Sequence, residues 1–280
     1  MLDTTIPVNN QPDQHFQLER DLTLFLAIMG WQELLTYSHV SEELVKLSDH
    51  ALDQHFRIKD PLTIEHQFMR RDIWPSLVAY IQEHAHTSDR SVFELGMAYH
   101  PTTDENHSAD HELRLSLASS KSYVEVISDL AQLFSRVYVE QPSWIIDPTD
   151  TFSREGVEIQ TGEIKINNEH VGTVRHLHGI TVIEIIWKRL MSQVRQYPTY
   201  QPILGYQPVI EDITVSIKEG ESAWQVLHQL HQLPDAQSVH LIDQYQANYT
   251  YRIRFFSRER QLSTQDVQSV ITSFTASRKQ

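Results

Sequence analysis

The 280-residue sequence contains no cysteine, and this excludes disulfide scaffolds, cysteine nucleophiles and Cys-ligated zinc. Glycine is also scarce, and no two of the 8 glycines have the Gly-x-Gly spacing of a phosphate loop or a dinucleotide fingerprint. No hydrophobic run approaches the ~20 residues of a membrane-spanning helix. Residues 1–10 lack the basic and apolar regions of a signal peptide. We therefore expect a globular, cytoplasmic protein that makes no membrane contact.

Basic side chains are outnumbered, since 23 Lys and Arg face 37 Asp and Glu, for a formal net charge of −14. The deficit lies in residues 1–200, whereas residues 201–280 hold 7 basic and 8 acidic side chains. Because phosphate contacts need Lys and Arg, an acidic chain is a poor general binder of nucleic acid. The last part of the chain is close to neutral, and its basic residues are clustered late.

Apolar periodicity in the first two-thirds of the chain predicts a mixture of helices and strands. Helical spacing predicts helices over 18–29, 42–47, 73–81 and 123–137, with Gly30 ending the first, Ser41 capping the second and Asp72 a candidate cap of the third. Strands are predicted over 32–40, 91–99 and 112–118, with a polar loop over 100–111. Residues 156–187 indicate a small antiparallel meander with turns at Thr161–Gly162 and Asn167–Asn168.

The last 80 residues predict a separate module after a proline-containing linker at 196–208. Strand 209–217, a helix capped by Ser222, strands 239–245 and 249–256, and a helix after a Ser263–Asp266 capping box follow in order. This β-α-β-β-α order is that of a ferredoxin-like module without its final strand. Strand 249–256 alternates cleanly, with one face formed by Tyr249, Tyr251, Ile253 and Phe255, and the other by Thr250, Arg252, Arg254 and Phe256.

Six segments in order carry a family resemblance: GWQELLTYSHV (30–40), DPLTIEHQFMRRDIWPSLV (60–78), VFELGMAY (92–99), YQPILGYQPVIEDITVSI (200–217), IDQY (242–245) and RQLSTQDV (260–267). Through them the chain resembles the C-terminal part of bacterial phenylalanine–tRNA ligase beta subunits. The resemblance implies an α+β protein with a class II synthetase-like antiparallel sheet with helices over residues 1–195. It implies a ferredoxin-fold anticodon-binding domain over residues 196–280.

The resemblance also implies a non-catalytic subunit that supports ATP-dependent charging of tRNA-Phe. Its partner would be the alpha subunit, in a heterotetramer of two alpha and two beta chains, and ATP and magnesium would bind the alpha subunit. The residues agree with an inert domain, because strand 91–99 carries no arginine to clamp a phosphate and no Gly-x-Gly segment exists. The family's N-terminal editing and magnesium-binding modules have no counterpart in residues 1–10, so we expect no catalytic residue, cofactor or metal on this chain.

Two sets of residues are candidates for binding. Contact with tRNA would use cations and one aromatic side chain on the open face and following loop of the last strand, namely Arg252, Arg254, Arg258, Arg260 and Phe256. The alternative is that Arg252 and Arg254 are solvated or pair with Glu211 or Asp243. A subunit interface would use the stripe Leu18, Leu22, Phe25, Leu26 and Met29, which alternatively packs on its own sheet.

Several sequence features remain open to more than one interpretation. Arg70 and Arg71 are possible phosphate ligands, although pairing of Arg70 with a local acid near the helix start is favoured. The pairs His107–His111 and His176–His178 have spacings compatible with metal binding, but such spacings arise by chance in a chain with 16 histidines. In the family, an Arg-Asp pair stands where this chain has Glu211–Asp212, which weakens the case for tRNA contact. A free-standing RNA-binding or regulatory paralogue and a purely structural dimerisation module therefore remain alternatives.

Overall fold

The computed structural model of the chain describes residues 14–86, 89–101, 109–137, 144–154, 157–194, 205–218, 221 and 223–278. The helices are α1 Gln14–Ile28, α2 Glu42–Leu47, α3 Trp74–Glu83, α4 Tyr123–Arg136, α5 Trp187–Gln193, α6 Ala223–His231 and α7 Thr264–Arg278. The strands are β1 Gln32–Glu33, β2 His39–Val40, β3 Phe68–Met69, β4 Ser91–Pro101, β5 Ala109–Ser119, β6 Trp144–Arg154, β7 Val157–Ile166, β8 Glu169–Leu177, β9 Ile180–Ile186, β10 Val209–Ser216, β11 Ala236–Tyr245 and β12 Asn248–Phe255. Within these residues, no helix has the length and apolar character needed to cross a membrane.

A seven-stranded sheet organises the first part of the chain, in the order β1-β4-β5-β9-β8-β7-β6. The sheet is mixed, because β1 pairs parallel with β4 while every other neighbouring pair is antiparallel. The expectation of an antiparallel sheet is therefore corrected at this edge. The two-residue strand β1 follows α1 directly, since Gly30 ends that helix with the left-handed φ of +89° that glycine adopts without steric cost.

Helices cover both faces of this sheet, and the alternation of side chains along its strands separates two hydrophobic cores. On one face, Phe93 of β4 and Ile183 of β9 pack with side chains of α1, α4 and α5. On the other face, Val92 and Val182 pack with α3. The predicted helix over 123–137 is confirmed as α4, and a capping box between Ser122 and Glu125 begins it.

The prediction of one strand over 32–40 is wrong. Pairing with β4 ends after Leu34, whose N–H still donates to the Phe93 carbonyl at 2.8 Å. The Thr36 N–H donates instead to the Glu94 carboxylate at 3.2 Å. The chain then forms a second short strand, β2, which pairs with β3. A side chain on the neighbouring strand has therefore replaced the expected backbone ladder.

The predicted antiparallel meander over 156–187 is confirmed as β7, β8 and β9, which form part of the large sheet. The Asn167–Asn168 turn is confirmed by positive φ at both residues, but the predicted turn at Thr161–Gly162 is wrong. Gly162 lies inside β7, paired with Pro148 on one side and Val174 on the other. His111, predicted in a loop, lies on β5.

A three-stranded antiparallel sheet with two helices forms the C-terminal module, with strand order β10-β12-β11. The predicted β-α-β-β-α order is thus the order of the described elements. Alternate residues of β12 are buried against α6 and α7, including Tyr251, Ile253 and Phe255, as the sequence pattern predicts. The predicted cap Ser222 and most of the linker at 196–208 lie outside the described residues. The boundary placed between residues 195 and 196 stays a prediction.

Candidate functional site

The predicted interface stripe on α1 packs largely inside its own chain. Leu22 and Leu26 are buried in the core beneath α4, and the other three, Leu18, Phe25 and Met29, are half-buried against the same core. The apolar side chains that α1 exposes are different ones, with Leu24 57% and Ile28 73% accessible. A contact between α1 and another chain stays a prediction, and these outward residues are the ones placed to make it.

The sheet face covered by α3 changes from apolar to polar along its strands. Glu94 of β4, Ser116 of β5 and Glu184 of β9 are directly cross-strand neighbours and form one buried row. Gly96 and Arg114 form the next row along β4 and β5. Burying charged groups is costly unless they are paired, so the partners of this polar row decide what the face can do.

Arg70 fills the space above Gly96 and pairs with Glu94 at 2.7 Å, with both side chains 3% accessible. Its guanidinium also donates to the Met97 carbonyl at 2.9 Å and the Thr36 hydroxyl at 2.8 Å. A Cβ atom on Gly96 would lie 2.5 Å from the Arg70 guanidinium and 2.8 Å from the Glu94 carboxylate, so a larger residue would have to displace this ion pair. The expectation of an acidic partner for Arg70 holds, but the partner is on β4 rather than near the helix start.

Arg114 joins three carboxylates on different elements. Its Nη1 donates to Glu184 at 2.7 Å and to Asp72 at 3.0 Å, while its Nε donates to Glu112 at 2.9 Å. Glu184 in turn accepts the Ile73 and Trp74 N–H groups, both at 3.0 Å, at the start of α3. The prediction that Asp72 caps this helix is therefore wrong, because a carboxylate from β9 occupies the helix N-terminus.

The pKa values in this cluster follow from its pairing. Burial alone would raise the pKa of Asp72, but a hydrogen bond with His50 and the charges of Arg114 and Arg175 hold it below its usual range. His100 and then Arg114 lower the pKa of Glu112 to about 2. Burial would lower the pKa of Arg114, yet Glu184 and Asp72 raise it overall. Asp72, Glu112 and Arg114 are therefore ionised at neutral pH.

This arrangement holds several elements of the fold together. Arg70 and Arg114 each bind carboxylates of their own chain, so neither guanidinium is available to a phosphate. The carboxylates Glu94 and Glu184 are likewise occupied by those cations and by backbone N–H groups. A general acid, base or phosphate clamp needs a group that can exchange its partner during the reaction. These side chains are already bound to partners within the chain.

The exposed face of the C-terminal sheet carries the predicted nucleic-acid contacts. Arg252 and Arg254 alternate with buried residues on β12 and point to solvent, as the sequence pattern predicts. Arg252 pairs in bidentate fashion with Asp212, its cross-strand neighbour on β10, with both N–O distances 2.8 Å. Glu211 and Asp243, the alternative partners, do not pair with Arg252, because the strand register places Asp212 directly opposite it.

The four predicted arginines divide into two paired and two unpaired residues. Arg260 pairs with Asp266 at 2.9 and 3.1 Å, and that carboxylate also completes the predicted capping box with Ser263. Across the part of the chain that the structure describes, Arg254 and Arg258 form no ion pair, and both are exposed. The cationic surface open to an anion is therefore smaller than the sequence suggests.

The remaining candidate residues are Phe256 and the histidines considered for metal binding. Phe256 lies one residue beyond β12, half-buried, and its N–H donates to the Asp235 carbonyl at 2.8 Å. His176 on β8 contacts the Thr181 hydroxyl at 3.1 Å, and His107 lies outside the described residues. Among described residues, no group of three or more His, Asp or Glu side chains is arranged to hold a metal ion.

Sequence reasoning missed Arg114 and Glu184. They are 70 residues apart, and no local spacing signals their contact. The available signal was the presence of charged residues inside otherwise apolar strands, since Glu184 interrupts the run ITVIEII and Arg114 the run ELRLSLA. A charge on a buried strand implies a partner, without identifying it.

Comparisons with known proteins agree on one family. The family model described as "Phenylalanyl tRNA synthetase beta chain CLM domain" matches residues 2–182. Curated proteins called "Phenylalanine--tRNA ligase beta subunit" are similar to the chain: that of Aster yellows witches'-broom phytoplasma is 23% identical over 91% of this chain, and that of Dehalococcoides mccartyi is 21% identical over 97%. The chain spans 34% and 37% of their respective lengths, about a third.

Solved structures show the same fold at low sequence identity. Pyrrolysyl-tRNA synthetase from Desulfitobacterium hafniense aligns with a TM-score of 0.51 and 14% identity, covering 66% of this chain and 70% of that one. A second structure of that synthetase aligns with a TM-score of 0.50. The α+β fold with a mixed sheet is thus similar to that of a class II aminoacyl-tRNA synthetase catalytic domain, and the likeness concerns the fold alone.

Proposed function

The chain belongs to the phenylalanyl-tRNA synthetase beta chain CLM domain family, and on this premise we propose that it is a non-catalytic beta-type component of a phenylalanine–tRNA ligase. The observation that carries the proposal is that the charged side chains on the polar sheet face already have partners. Arg70 and Arg114 neutralise Glu94 and Glu184 within the chain itself. An adenylating site needs an arginine free to bind phosphate, and ATP and magnesium therefore bind an alpha subunit.

Assembly with the alpha subunit uses the outward face of α1. Leu24 and Ile28 are exposed on one helix, and exposed apolar side chains that recur along a helix are typical of a contact surface. Contact with tRNA-Phe, in the cytoplasm, uses Arg254 and Arg258, because no carboxylate of the described residues pairs with their guanidiniums. Arg252, Arg260 and Phe256 contribute less, since two are ion-paired and one is half-buried.

The decisive experiment is phenylalanine-dependent ATP–pyrophosphate exchange with the full chain, alone and mixed with an alpha subunit. We expect no exchange from the chain alone and exchange from the mixture, with both proteins co-eluting in size-exclusion chromatography. Exchange by the chain alone would overturn the non-catalytic assignment. A failure to co-elute would instead favour the free-standing paralogue.

Two sets of variants test the contacts separately. Leu24→Asp with Ile28→Asp should abolish co-elution, whereas Leu62→Asp, which changes an even more exposed leucine elsewhere, should not. In filter binding to tRNA-Phe, Arg254→Ala with Arg258→Ala should weaken affinity more than the matched pair Arg252→Ala with Arg260→Ala. Equal effects of the two arginine pairs contradict the surface proposed here. No effect of either pair favours the purely structural module, which would keep its partner but not RNA.

A further inference from the structure

A small cavity, partly open to solvent, lies between α2 and the start of α3. Its volume is about 10 Å³, and its polar lining includes Ser48, His55, Arg71 and Asp72. Apolar lining comes from Val40, Leu44 and Val45. A volume of about 10–15 Å³ accommodates one water molecule, so the cavity is too small for an organic ligand.

Among the residues that the structure describes, no hydrogen-bond partner is found for two buried polar atoms at this cavity. Asp72 is 4% accessible, and its Oδ2 has no hydrogen bond, although Oδ1 accepts one from Arg114 at 3.0 Å. The Nε of Arg71 is also buried without a partner, while Nη1 of the same guanidinium donates to the Gln54 carbonyl. A carboxylate oxygen can only accept here, and the Arg71 Nε can only donate. Buried polar atoms without a protein partner are rare in folded proteins, and they usually form a hydrogen bond with water.

His55 brings a third polar atom to the same cavity. Its Nδ1 lies 2.9 Å from the Ala51 carbonyl and donates to it, which leaves Nε2 as an acceptor in the neutral ring. The Ser48 hydroxyl is 3.5 Å from Nε2, but its hydrogen is already directed to the Val45 carbonyl at 2.8 Å. Burial lowers the pKa of His55, so the ring is neutral and Nε2 accepts at neutral pH.

We propose that this cavity is a binding site for one water molecule that accepts a hydrogen bond from Arg71 and donates one each to Asp72 and His55. Three hydrogen bonds are the usual number for a buried water. The charges exclude an ion, because a cation would meet the Arg71 guanidinium and an anion would meet the Asp72 carboxylate. The water links the segment that follows α2 to the residues that begin α3.

The number of long-lived internal waters tests the proposal through ¹⁷O magnetic relaxation dispersion on the full chain. Val45→Ile adds a methyl group to the cavity lining, and Val78→Ile makes the same change at a buried valine of α3 in the adjacent core. We expect the count to fall by one in Val45→Ile and to stay at the wild-type value in Val78→Ile. If Val45→Ile does not fold, Ser76→Thr places its methyl group at the same cavity.

A high-resolution crystal structure of the wild-type chain supplies the second measurement. One density peak within hydrogen-bond distance of Asp72 Oδ2, Arg71 Nε and His55 Nε2 supports the proposal. An unchanged water count in a folded filling variant overturns it. So does an anomalous peak at the cavity after a bromide or rubidium soak, because that outcome identifies an ion site.

Discussion

Replacing Arg114 with methionine should destabilise the N-terminal part of the chain severely. The substitution keeps a long side chain but leaves Asp72 and Glu184, whose side chains are each 3% accessible, without their shared cation. Removing one partner of a buried ion pair costs about 3–5 kcal/mol. In a urea titration followed by tryptophan fluorescence at pH 7, this corresponds to a midpoint roughly 1–2.5 M lower at a slope of about 2–3 kcal/mol/M.

The same variant should respond differently to acid. The pKa of Asp72 is depressed in the folded protein, so its contribution to stability is present above the unfolded-state pKa near 4 and is lost as pH falls through the lower folded value. Without Arg114, the pKa of Asp72 rises. Asp72 is therefore protonated, and loses its unpaired charge, at a higher pH than in the wild type. The stability difference between wild type and Arg114→Met should therefore narrow as pH falls from 7 to about 3.5.

A matched control separates burial from charge. Arg20→Met removes an arginine that is 68% accessible and lies 3.8 Å from Asp21, and exposed pairs contribute at most about 1 kcal/mol. The reasoning is refuted if the free energy of unfolding of Arg114→Met at pH 7 lies within about 1 kcal/mol of the wild-type value, which is the most that an exposed pair contributes. A stability difference that stays constant down to pH 3.5 would equally refute it, since it would show that Asp72 is not the group left uncompensated.

Substitutions at two further positions, Gly96 and Ser122, test local geometry by the same urea titration. Gly96→Ala should cost about 2–4 kcal/mol, because its Cβ would displace the Arg70 guanidinium from Glu94 and leave buried charges apart. Gly179→Ala is its control: no atom lies within 4 Å, and only the left-handed φ of +73° is strained, at about 1 kcal/mol. Ser122→Ala should lower stability by about 1 kcal/mol through loss of the α4 cap, and Ser122→Asp should restore most of it.

Local features of the fold could be predicted from the sequence because neighbouring residues determine them. Gly30 ends α1, Ser41 caps α2, and Ser263 with Asp266 begins α7, each through atoms no more than a few residues apart. The alternation along β12 was equally readable, since period-two burial belongs to one strand. These elements needed no knowledge of the rest of the chain.

Features that depend on which distant strands meet could not be predicted. The cap of α3 is Glu184, which is 111 residues after Ile73, and it displaces the nearby Asp72 that local rules favour. The break after β1 has the same origin, because Thr36 bonds a carboxylate that β4 supplies. On the candidate RNA surface, the register between β10 and β12 selected Asp212 over Glu211 as the partner of Arg252. In the first two cases a long-range carboxylate replaced a local expectation, and in the third the strand register decided between two adjacent acids.

The paired state of Arg252 leads to a prediction that separates local from long-range electrostatics on the C-terminal module. With 7 basic and 8 acidic side chains in residues 201–280, the module has little long-range attraction for RNA. Each phosphate contact contributes roughly 0.7–0.9 to the slope of log affinity against log salt concentration. Two unpaired arginines therefore supply a slope of roughly 1.5, and four would supply roughly 3.

Asp212→Asn should release Arg252, because the neutral amide cannot hold the guanidinium as the carboxylate does at 2.8 Å. Filter binding of the assembled protein to tRNA-Phe should then be tighter at low salt, with a slope steeper by about one contact, roughly 0.7–0.9. Glu259→Gln removes the same charge from an exposed residue of the loop after β12 and controls for net charge alone. If both variants tighten binding equally, only net charge matters. If neither does, the open face of β12 does not contact RNA, and the module acts through protein contacts instead.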